Sequence, residues 1–253
     1  MSRREIGAGL EEQGGLLRSS SERVAEIRER LAAVEDRIEA AARRASRRRD
    51  EIRLIAVSKR FPVSDILAAV QAGAEEFGES RPQELDEKYE ELVREGLVVP
   101  PMHMIGHLQR NKVKLVVGRS PLIHSVDSLR LAQAISRQAL DQSVVQPVLL
   151  QVNISDEDQK HGFAVSEIEG AMNQVAGMEG IVVVGLMGMA SLEVDSARTR
   201  PQFALLRQVR DRIQHVNGGR VVELSMGMSG DYEEAIEEGA TLIRVGSAIF
   251  GDR

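Results

Sequence analysis

The chain has 253 residues, enough for one large domain or two small ones, and a net charge of −6 that argues against a nucleic-acid binder. It contains no cysteine, which excludes disulfides, thiolate metal sites and cysteine nucleophiles and fits a reducing compartment. The amino terminus lacks a secretory signal, and the longest apolar run, residues 181–190, is about half of the ~20 residues that cross a bilayer. We therefore expect a cytoplasmic protein that binds neither nucleic acid nor membranes.

The first part of the chain predicts a tail followed by a helix. Residues 1–19 are rich in glycine and aperiodic, which predicts a mobile tail. Over residues 20–48, apolar residues recur at three- and four-residue steps, which predicts a long amphipathic helix. Its basic end is typical of a solvated helix terminus and favours that interpretation over a site for RNA or acidic lipid. The arginines of this end are Arg43, Arg44, Arg47, Arg48 and Arg49.

From residue 51 onward, short apolar runs alternate with polar stretches of helical period. The candidate strands are residues 52–59, 75–79, 102–107, 122–126, 148–154, 182–190, 221–226 and 242–249. The candidate helices between them are residues 63–72, 82–94, 165–175, 199–216 and 232–238. Eight such units without a linker predict a single (β/α)8 TIM-type barrel domain over residues 20–253, including the amino-terminal helix. A doubly wound open sheet is the alternative, and the strand count is the only feature that separates the two.

Functional groups of such a barrel gather at the carboxyl ends of its strands. Lys59 ends the first predicted strand, and a lysine amine desolvated by apolar neighbours is a nucleophile for carbonyls. A Schiff base is therefore the first chemistry to consider, although Lys59 alone also fits a surface lysine at a strand end. Barrel closure makes the eighth strand a neighbour of the first, so Arg244 is expected to line the same pocket.

Small residues follow the seventh and eighth predicted strands, where barrel enzymes commonly hold a phosphate with backbone N–H groups and hydroxyls. Each segment alone also fits a tight turn, but together they favour phosphate. These residues are Ser225, Gly227, Ser229, Gly246 and Ser247.

The histidines do not predict a metal site. His103 and His107 would share one face of a strand, but their spacing places no third ligand. His161 precedes Gly162 and is interpreted as a residue of a surface loop.

Seven segments, in order, resemble the pyridoxal phosphate homeostasis proteins, a family that binds pyridoxal 5'-phosphate (PLP) in an alanine-racemase-type barrel. They are AVSK (56–59), FGESRPQE (77–84), IGHLQRNK (105–112), VNISDEDQKHG (152–162), GLMGMAS (185–191), LSMGMSGDYEEAI (224–236) and GATLIRVGSAIFG (239–251). The resemblance covers nearly everything after the amino-terminal helix. At two positions the chain departs from the family, with Ser80 in place of the usual asparagine and Met102 in place of a frequent aromatic residue.

The resemblance implies that PLP is the cofactor and that Lys59 carries it as a Schiff base. It also implies that Arg244 faces the pyridine nitrogen, that Ser225, Gly246 and Ser247 hold the phosphate, and that Asn153 and Met187 line the pocket. Gly227, in the loop after the seventh strand, is assigned to the same cofactor site.

A guanidinium cannot accept a hydrogen bond from a pyridinium, so the ring nitrogen opposite Arg244 is expected to be unprotonated and a weak electron sink. We therefore expect a monomeric carrier that buffers PLP or delivers it to PLP-dependent apo-enzymes, without a catalytic residue of its own. One alternative is an amino-acid racemase, which needs a second acid or base opposite Lys59; Tyr89 and Tyr232 are the only tyrosines. Another is a regulatory adaptor that binds partners through exposed apolar residues of the amino-terminal helix.

Overall fold

The computed structural model describes residues 20–155, 161–191, 196–216 and 221–252. The predicted tail, residues 1–19, lies outside the described residues. Eight parallel strands form a closed barrel in which each strand pairs with the next and β8 pairs with β1. The strands are β1 Arg53–Val57, β2 Glu76–Glu79, β3 Met102–Met104, β4 Ile123–Val126, β5 Gln146–Gln151, β6 Ile181–Met187, β7 Glu223–Ser225 and β8 Leu242–Val245. This closure confirms the (β/α)8 prediction and excludes the open sheet.

Helices surround the barrel, and two 3₁₀ turns, Arg49–Glu51 and Arg110–Leu115, lie among them. The helices are α1 Ser21–Arg44, α2 Val63–Ala72, α3 Pro82–Arg94, α4 Leu129–Asp141, α5 Ile168–Ala176, α6 Ser196–Val216, α7 Tyr232–Glu237 and α8 Ser247–Phe250. Helix α4 was absent from the sequence prediction. Ser128 caps it by accepting a hydrogen bond from the backbone N–H of Leu131. Among the described helices, none is long and apolar enough to cross a membrane.

Several predicted strands are too long. β1 ends at Val57, two residues before Lys59, and β3 ends at Met104, before His107. β8 ends at Val245, where the apolar run continues into helix α8. Apolar residues continue past the last ladder hydrogen bond because the loops above the strands are themselves packed, so the length of the run overestimates the strand.

Helix α1 packs on the barrel rather than presenting an apolar surface. Its apolar stripe is buried against α2, α7 and α8, which contradicts the adaptor hypothesis. The buried residues of this stripe are Val24, Ile27, Leu31, Val34, Ile38, Ala41 and Ala42.

The basic end of α1 is solvated at Arg43, Arg44 and Arg48, as predicted, and two of its arginines also contact the barrel domain. The helix ends at Arg44, four residues before the predicted end. Arg47 donates from one guanidinium nitrogen to the carbonyls of Ile236 and Ala240, both at 2.8 Å. Arg44 forms ion pairs with Glu233 and Glu237 of α7. Arg44 and Arg47 therefore connect α1 to α7 and to the residues that follow it.

Substitution Ile38→Ala tests how much α1 contributes to the stability of the barrel. Ile38 is fully buried, so removal of its side-chain carbons is expected to lower the free energy of unfolding by about 2–5 kcal/mol. Urea unfolding followed by circular dichroism measures the change. Leu140→Ala, at a half-exposed position of α4, is the control and should change stability by less than about 0.5 kcal/mol. Equal effects of the two variants would contradict the burial of α1.

Candidate cofactor site at the carboxyl end of the barrel

Lys59 lies in a tight turn directly above β1. Ser58 continues the ladder by donating its N–H to the carbonyl of Gly78 at 3.1 Å, and Phe61 donates its N–H back to the carbonyl of Ser58 at 3.0 Å. Between them, Arg60 has a φ of +67°, in the left-handed region that non-glycine residues rarely occupy. The Arg60 N–H donates to the carboxylate of Glu84. Such backbone strain is retained where surrounding contacts impose it, which is common at functional sites.

A buried ionic network holds the base of this turn. The Lys88 ammonium donates to the Ser58 carbonyl at 2.9 Å, to Glu79 at 2.7 Å and to Glu84 at 2.8 Å. The Ser58 hydroxyl also donates to Glu79, at 2.7 Å. Burial raises the pKa of the Glu79 carboxyl, and the Lys88 ammonium opposes that shift. The network fixes the backbone immediately before Lys59, which itself is half-buried.

Arg244 is a buried cation inside the barrel. Its guanidinium donates to the Ser225 hydroxyl oxygen at 2.6 Å and to the Gly188 carbonyl at 3.2 Å. Burial lowers the pKa of Arg244 to about 10, so the group stays protonated at neutral pH. The carboxylate of Asp231 opposes that shift, but it accepts a hydrogen bond from the Met228 N–H at 2.6 Å. Among the described residues, Arg244 has a hydroxyl and a carbonyl as hydrogen-bond acceptors, and the Asp231 carboxylate acts on it through space rather than as an ion pair.

A chain of hydrogen bonds runs from Arg244 down through the barrel. The Ser225 hydroxyl lies 2.8 Å from Nδ1 of His124, and Nε2 of His124 lies 2.9 Å from Nδ1 of His103. Nε2 of His103 then lies 3.3 Å from a carboxylate oxygen of Glu76. These contacts link the upper end of the barrel to its lower end through four side chains and the guanidinium.

Burial lowers the pKa of His124 well below its ordinary value, so His124 is neutral. The chain has one direction when His103 is also uncharged and donates from Nε2 to Glu76. Nδ1 of His103 then accepts from Nε2–H of His124, whose Nδ1 accepts from the Ser225 hydroxyl. Arg244 can only donate, so every hydrogen bond points from Arg244 toward Glu76. The Ser225 hydroxyl therefore accepts from the Arg244 guanidinium and donates to the His124 imidazole.

Sequence reasoning missed His124 and misjudged His103. His103 and His107 were expected on one strand face, but His103 is 2% exposed inside the barrel whereas the side chain of His107 is 44% exposed at its mouth. The strand ends between them, so the two-residue alternation no longer applies. The available signal for His124 was a polar residue within the short buried run Ile123–Val126.

The loops after β7 and β8 are joined at the mouth. Gly246 donates its N–H to the Ser229 hydroxyl oxygen at 3.2 Å. Gly227 has a φ of +89°, and a Cβ there would lie 2.6 Å from Cβ of Ala235, so the loop requires glycine. Ser225 is buried, Gly246 is half-buried and Ser247 is exposed. The rim of this loop pair therefore consists of Ser229, Gly246 and Ser247, with Ser225 below it.

Asn153 and Met187 occupy different levels of the barrel. Asn153 is half-buried just above β5, where its side-chain oxygen accepts from the N–H and the hydroxyl of Ser155 at 3.3 and 3.2 Å. Met187 is buried at the end of β6, in the apolar layer that fills the barrel interior. That layer also contains Ile55, Leu122, Leu149 and Leu242.

Neither tyrosine occupies the position that a two-base racemase requires. Tyr232 is buried, and its ring lies under the guanidinium of Arg37 from α1, 5.0 Å from the ring centroid. Tyr89 lies on α3 beneath the guanidinium of Arg119, also at 5.0 Å. Both rings pack against residues of the outer helices and loops rather than against the Lys59 turn.

Comparison with known proteins identifies the family. The family model described as alanine racemase, N-terminal domain, matches residues 30–253. A pyridoxal phosphate homeostasis protein from Aquifex aeolicus is 38% identical over 225 residues, covering 89% of this chain and 97% of the relative. One from Escherichia coli K12 is 37% identical over 235 residues, covering 90% and 97%. The chain belongs to the pyridoxal phosphate homeostasis protein family.

Solved structures resemble the barrel of this family member. PipY of Synechococcus elongatus, solved with PLP bound, is 35% identical with a TM-score of 0.77, covering 89% of this chain and all of PipY. PipY without PLP has a TM-score of 0.80 at 36% identity and the same coverage. Alanine racemase of Clostridium difficile has a TM-score of 0.69 at 16% identity, and the match covers 90% of this chain but only 56% of the racemase. The last likeness shows the shared barrel fold alone.

The buried imidazole of His124 predicts a pH-dependent stability. The unfolded chain takes up a proton on His124 near its ordinary pKa of 6.5, whereas the folded protein keeps it neutral. Stability therefore falls as the pH is lowered through 6.5, and His124→Asn should remove that part of the loss. Between about pH 7 and pH 5.5, wild type should lose about 1 kcal/mol more than the variant in urea unfolding. Equal losses would show that His124 takes up a proton as readily in the folded protein as in the unfolded chain.

Proposed function

We propose that this protein binds PLP reversibly through Lys59 and acts as a carrier that buffers or delivers the cofactor. PLP supplies an aldehyde that condenses with a lysine amine to a Schiff base, a pyridine nitrogen and a phosphate. The residues at the mouth of the barrel fit each of these groups. The observation that carries the proposal is the buried guanidinium of Arg244, whose hydrogen-bond acceptors among the described residues are a hydroxyl and a carbonyl, while Asp231 acts on it only through space. A buried cation lowers the stability of the folded protein, so its presence indicates a functional site.

The pairing of β1 with β8 supports a common site for Lys59 and Arg244. β1 and β8 are paired in register, with Ile55 opposite Arg244, so Lys59 lies further toward the mouth on the neighbouring strand. A ring bound between them can present its aldehyde to Lys59 and its nitrogen to Arg244. The PLP-bound structure of PipY and the names of the curated relatives support PLP as the ligand.

The rim formed by Ser229, Gly246 and Ser247 fits the phosphate. Ser247 is exposed at the carboxyl end of β8, and a phosphate bound here would take the place of the Ser229 hydroxyl as acceptor for the Gly246 N–H. Such backbone and hydroxyl donors at this edge of a barrel are typical phosphate ligands. In this proposal Ser225 supports the site from below by fixing Arg244, and Asn153 and Met187 line its other side.

Arg244 favours a carrier over a racemase. Its guanidinium stays charged and has only donors, so it holds the ring nitrogen unprotonated and limits carbanion stabilisation. Neither tyrosine packs against the Lys59 turn. We propose that the recipients are PLP-dependent apo-enzymes, and that the protein acts as a monomer in the cytoplasm, where its cysteine-free composition suits a reducing compartment.

Substitution Lys59→Ala tests the covalent site. We expect the visible absorption of the bound Schiff base to disappear, and borohydride reduction to leave no pyridoxyl adduct in peptide mass mapping. Residual PLP binding should be weak and dependent on the phosphate. Lys112→Ala, a lysine in the same mouth region, is the control and should keep both the absorption and the adduct on Lys59. An unchanged spectrum in Lys59→Ala would refute the assignment.

Substitution Arg244→Glu tests the contact with the ring nitrogen. A carboxylate can accept a hydrogen bond from a pyridinium, so the ring should become protonated and the absorption of bound PLP should shift. Slow amino-acid racemisation should rise above the wild-type background. Arg81→Glu makes the same charge change at an exposed position of the mouth and should leave the spectrum unchanged. A folded Arg244→Glu variant with a wild-type spectrum would place Arg244 away from the ring.

A further inference from the structure

Three metal-ligating side chains converge at the mouth of the barrel, from the loops after β3, β4 and β5. His107, Asp127 and His161 each offer one ligand atom, and these atoms all lie within 4.8 Å of one another. We propose that this group, the mouth triad, binds one divalent transition-metal ion such as Zn²⁺. The triad shares no residue with the proposed cofactor site, and the proposal does not depend on PLP.

The distances within the triad approach those of a coordination sphere. Zinc binds histidine nitrogen and carboxylate oxygen at about 2.0–2.2 Å, so two ligands in a tetrahedral sphere lie roughly 3.3–3.5 Å apart. Nδ1 of His107 lies 3.0 Å from Oδ2 of Asp127, and Nδ1 of His161 lies 3.7 Å from the same oxygen. The two imidazole rings are stacked, with centroids 4.2 Å apart and planes 17° from parallel. The two distances to Asp127 are within a few tenths of an ångström of this spacing, and rotation of the stacked imidazoles would be required to turn both nitrogens toward one ion.

The backbone of His107 is fixed before any ion binds. The Ser125 hydroxyl, on β4, donates to the carbonyl of Gly106. A Cβ at Gly106 would lie 2.2 Å from the carbonyl oxygen of Ser80, so the chain passes too close to this loop for any other residue. His107 is therefore held against the loop after β2 and against β4.

Asp127 and His161 are fixed by other elements. Asp127 follows β4 directly and precedes the cap residue of α4, and its side chain is only 10% exposed. The His161 carbonyl accepts from the side-chain amide of Gln151 at 2.9 Å. Gly162 then passes so near β5 that a Cβ would lie 2.8 Å from the Asn153 nitrogen. Ligands held in advance on separate rigid elements lower the cost of assembling a metal site.

The donor set selects the class of ion. Two imidazoles and one carboxylate suit Zn²⁺, Ni²⁺, Cu²⁺ and Fe²⁺, whereas Mg²⁺ and Ca²⁺ prefer oxygen ligands. Three protein ligands leave one position of a tetrahedral ion for water or an external donor. The side chains of His107 and His161 are 44% and 61% exposed, so an ion has direct access from solvent. Sequence spacing concealed the site because its three ligands come from three different loops.

Isothermal titration of PLP-free, chelator-treated protein with Zn²⁺ tests the proposal. We expect one equivalent to bind, and His107→Gln, Asp127→Asn and His161→Gln each to weaken binding more than about tenfold. Co²⁺ should give the visible absorption of a tetrahedral site with nitrogen and oxygen ligands, and this absorption should be lost in the same variants. Asp141→Asn, an exposed aspartate at the opposite end of α4, is the matched control and should bind as wild type does.

The same titration separates this proposal from the cofactor proposal. Lys59→Ala should bind Zn²⁺ like wild type even though it loses the PLP adduct. Binding by folded triad variants that equals wild type would overturn the mouth triad as a metal site, as would the absence of a one-to-one Zn²⁺ complex in wild type. Circular dichroism of each variant establishes that it is folded before the titrations are compared.

Discussion

The pairing of β8 with β1 is the constraint on which the rest of the structure depends. It closes the barrel and brings Arg244 beside Ile55, although almost the whole domain separates them in sequence. In an open sheet, β1 and β8 would not be neighbours. Lys59 and Arg244 would then not lie on adjacent strands, as the proposed site requires. Closure also removes both sheet edges, so every strand has two backbone partners.

Closure also makes an interior in which charged groups must be satisfied by their neighbours. The apolar layer around Ile55 and Met187 occupies part of that interior, and the hydrogen-bonded chain from Arg244 to Glu76 occupies another part. Glu76 also lies 3.6 Å from the guanidinium of Arg53 at the lower end of the barrel. The chain thus has an arginine at each end, Arg244 above and Arg53 below. The imidazole of His124 between them is neutral and adds no further positive charge. Arg244 has no direct ion pair among the described residues, since Asp231 acts on it only through space, and a ligand acceptor would satisfy its guanidinium further.

Features set by local pattern were predictable from sequence, whereas features set by register were not. Helices α2 and α3 have the predicted bounds, because their apolar periodicity and their starting residues are local signals. Lys59 and Arg244 could be paired once eight strands were counted. His124 and Lys88 could not be recognised, because an inward-facing imidazole and a buried ammonium acquire meaning only through partners on other strands and helices. Likewise, Asp127 joins His107 and His161 only when the loops after three strands meet at one end of the barrel.

The proposal that this protein holds PLP rather than using it in catalysis depends on the residues that surround Lys59. The turn is fixed from below by Lys88 and Glu79 and strained at Arg60, so the backbone that carries Lys59 has a defined position, and the residue is half-buried. The match to alanine racemase covers only 56% of that enzyme, and the two tyrosines of this chain pack against other parts of the domain. In the proposed function, a lysine on a fixed turn, with a charged donor opposite the ring nitrogen and no tyrosine against that turn, favours reversible capture of an aldehyde over proton transfer at a substrate carbon.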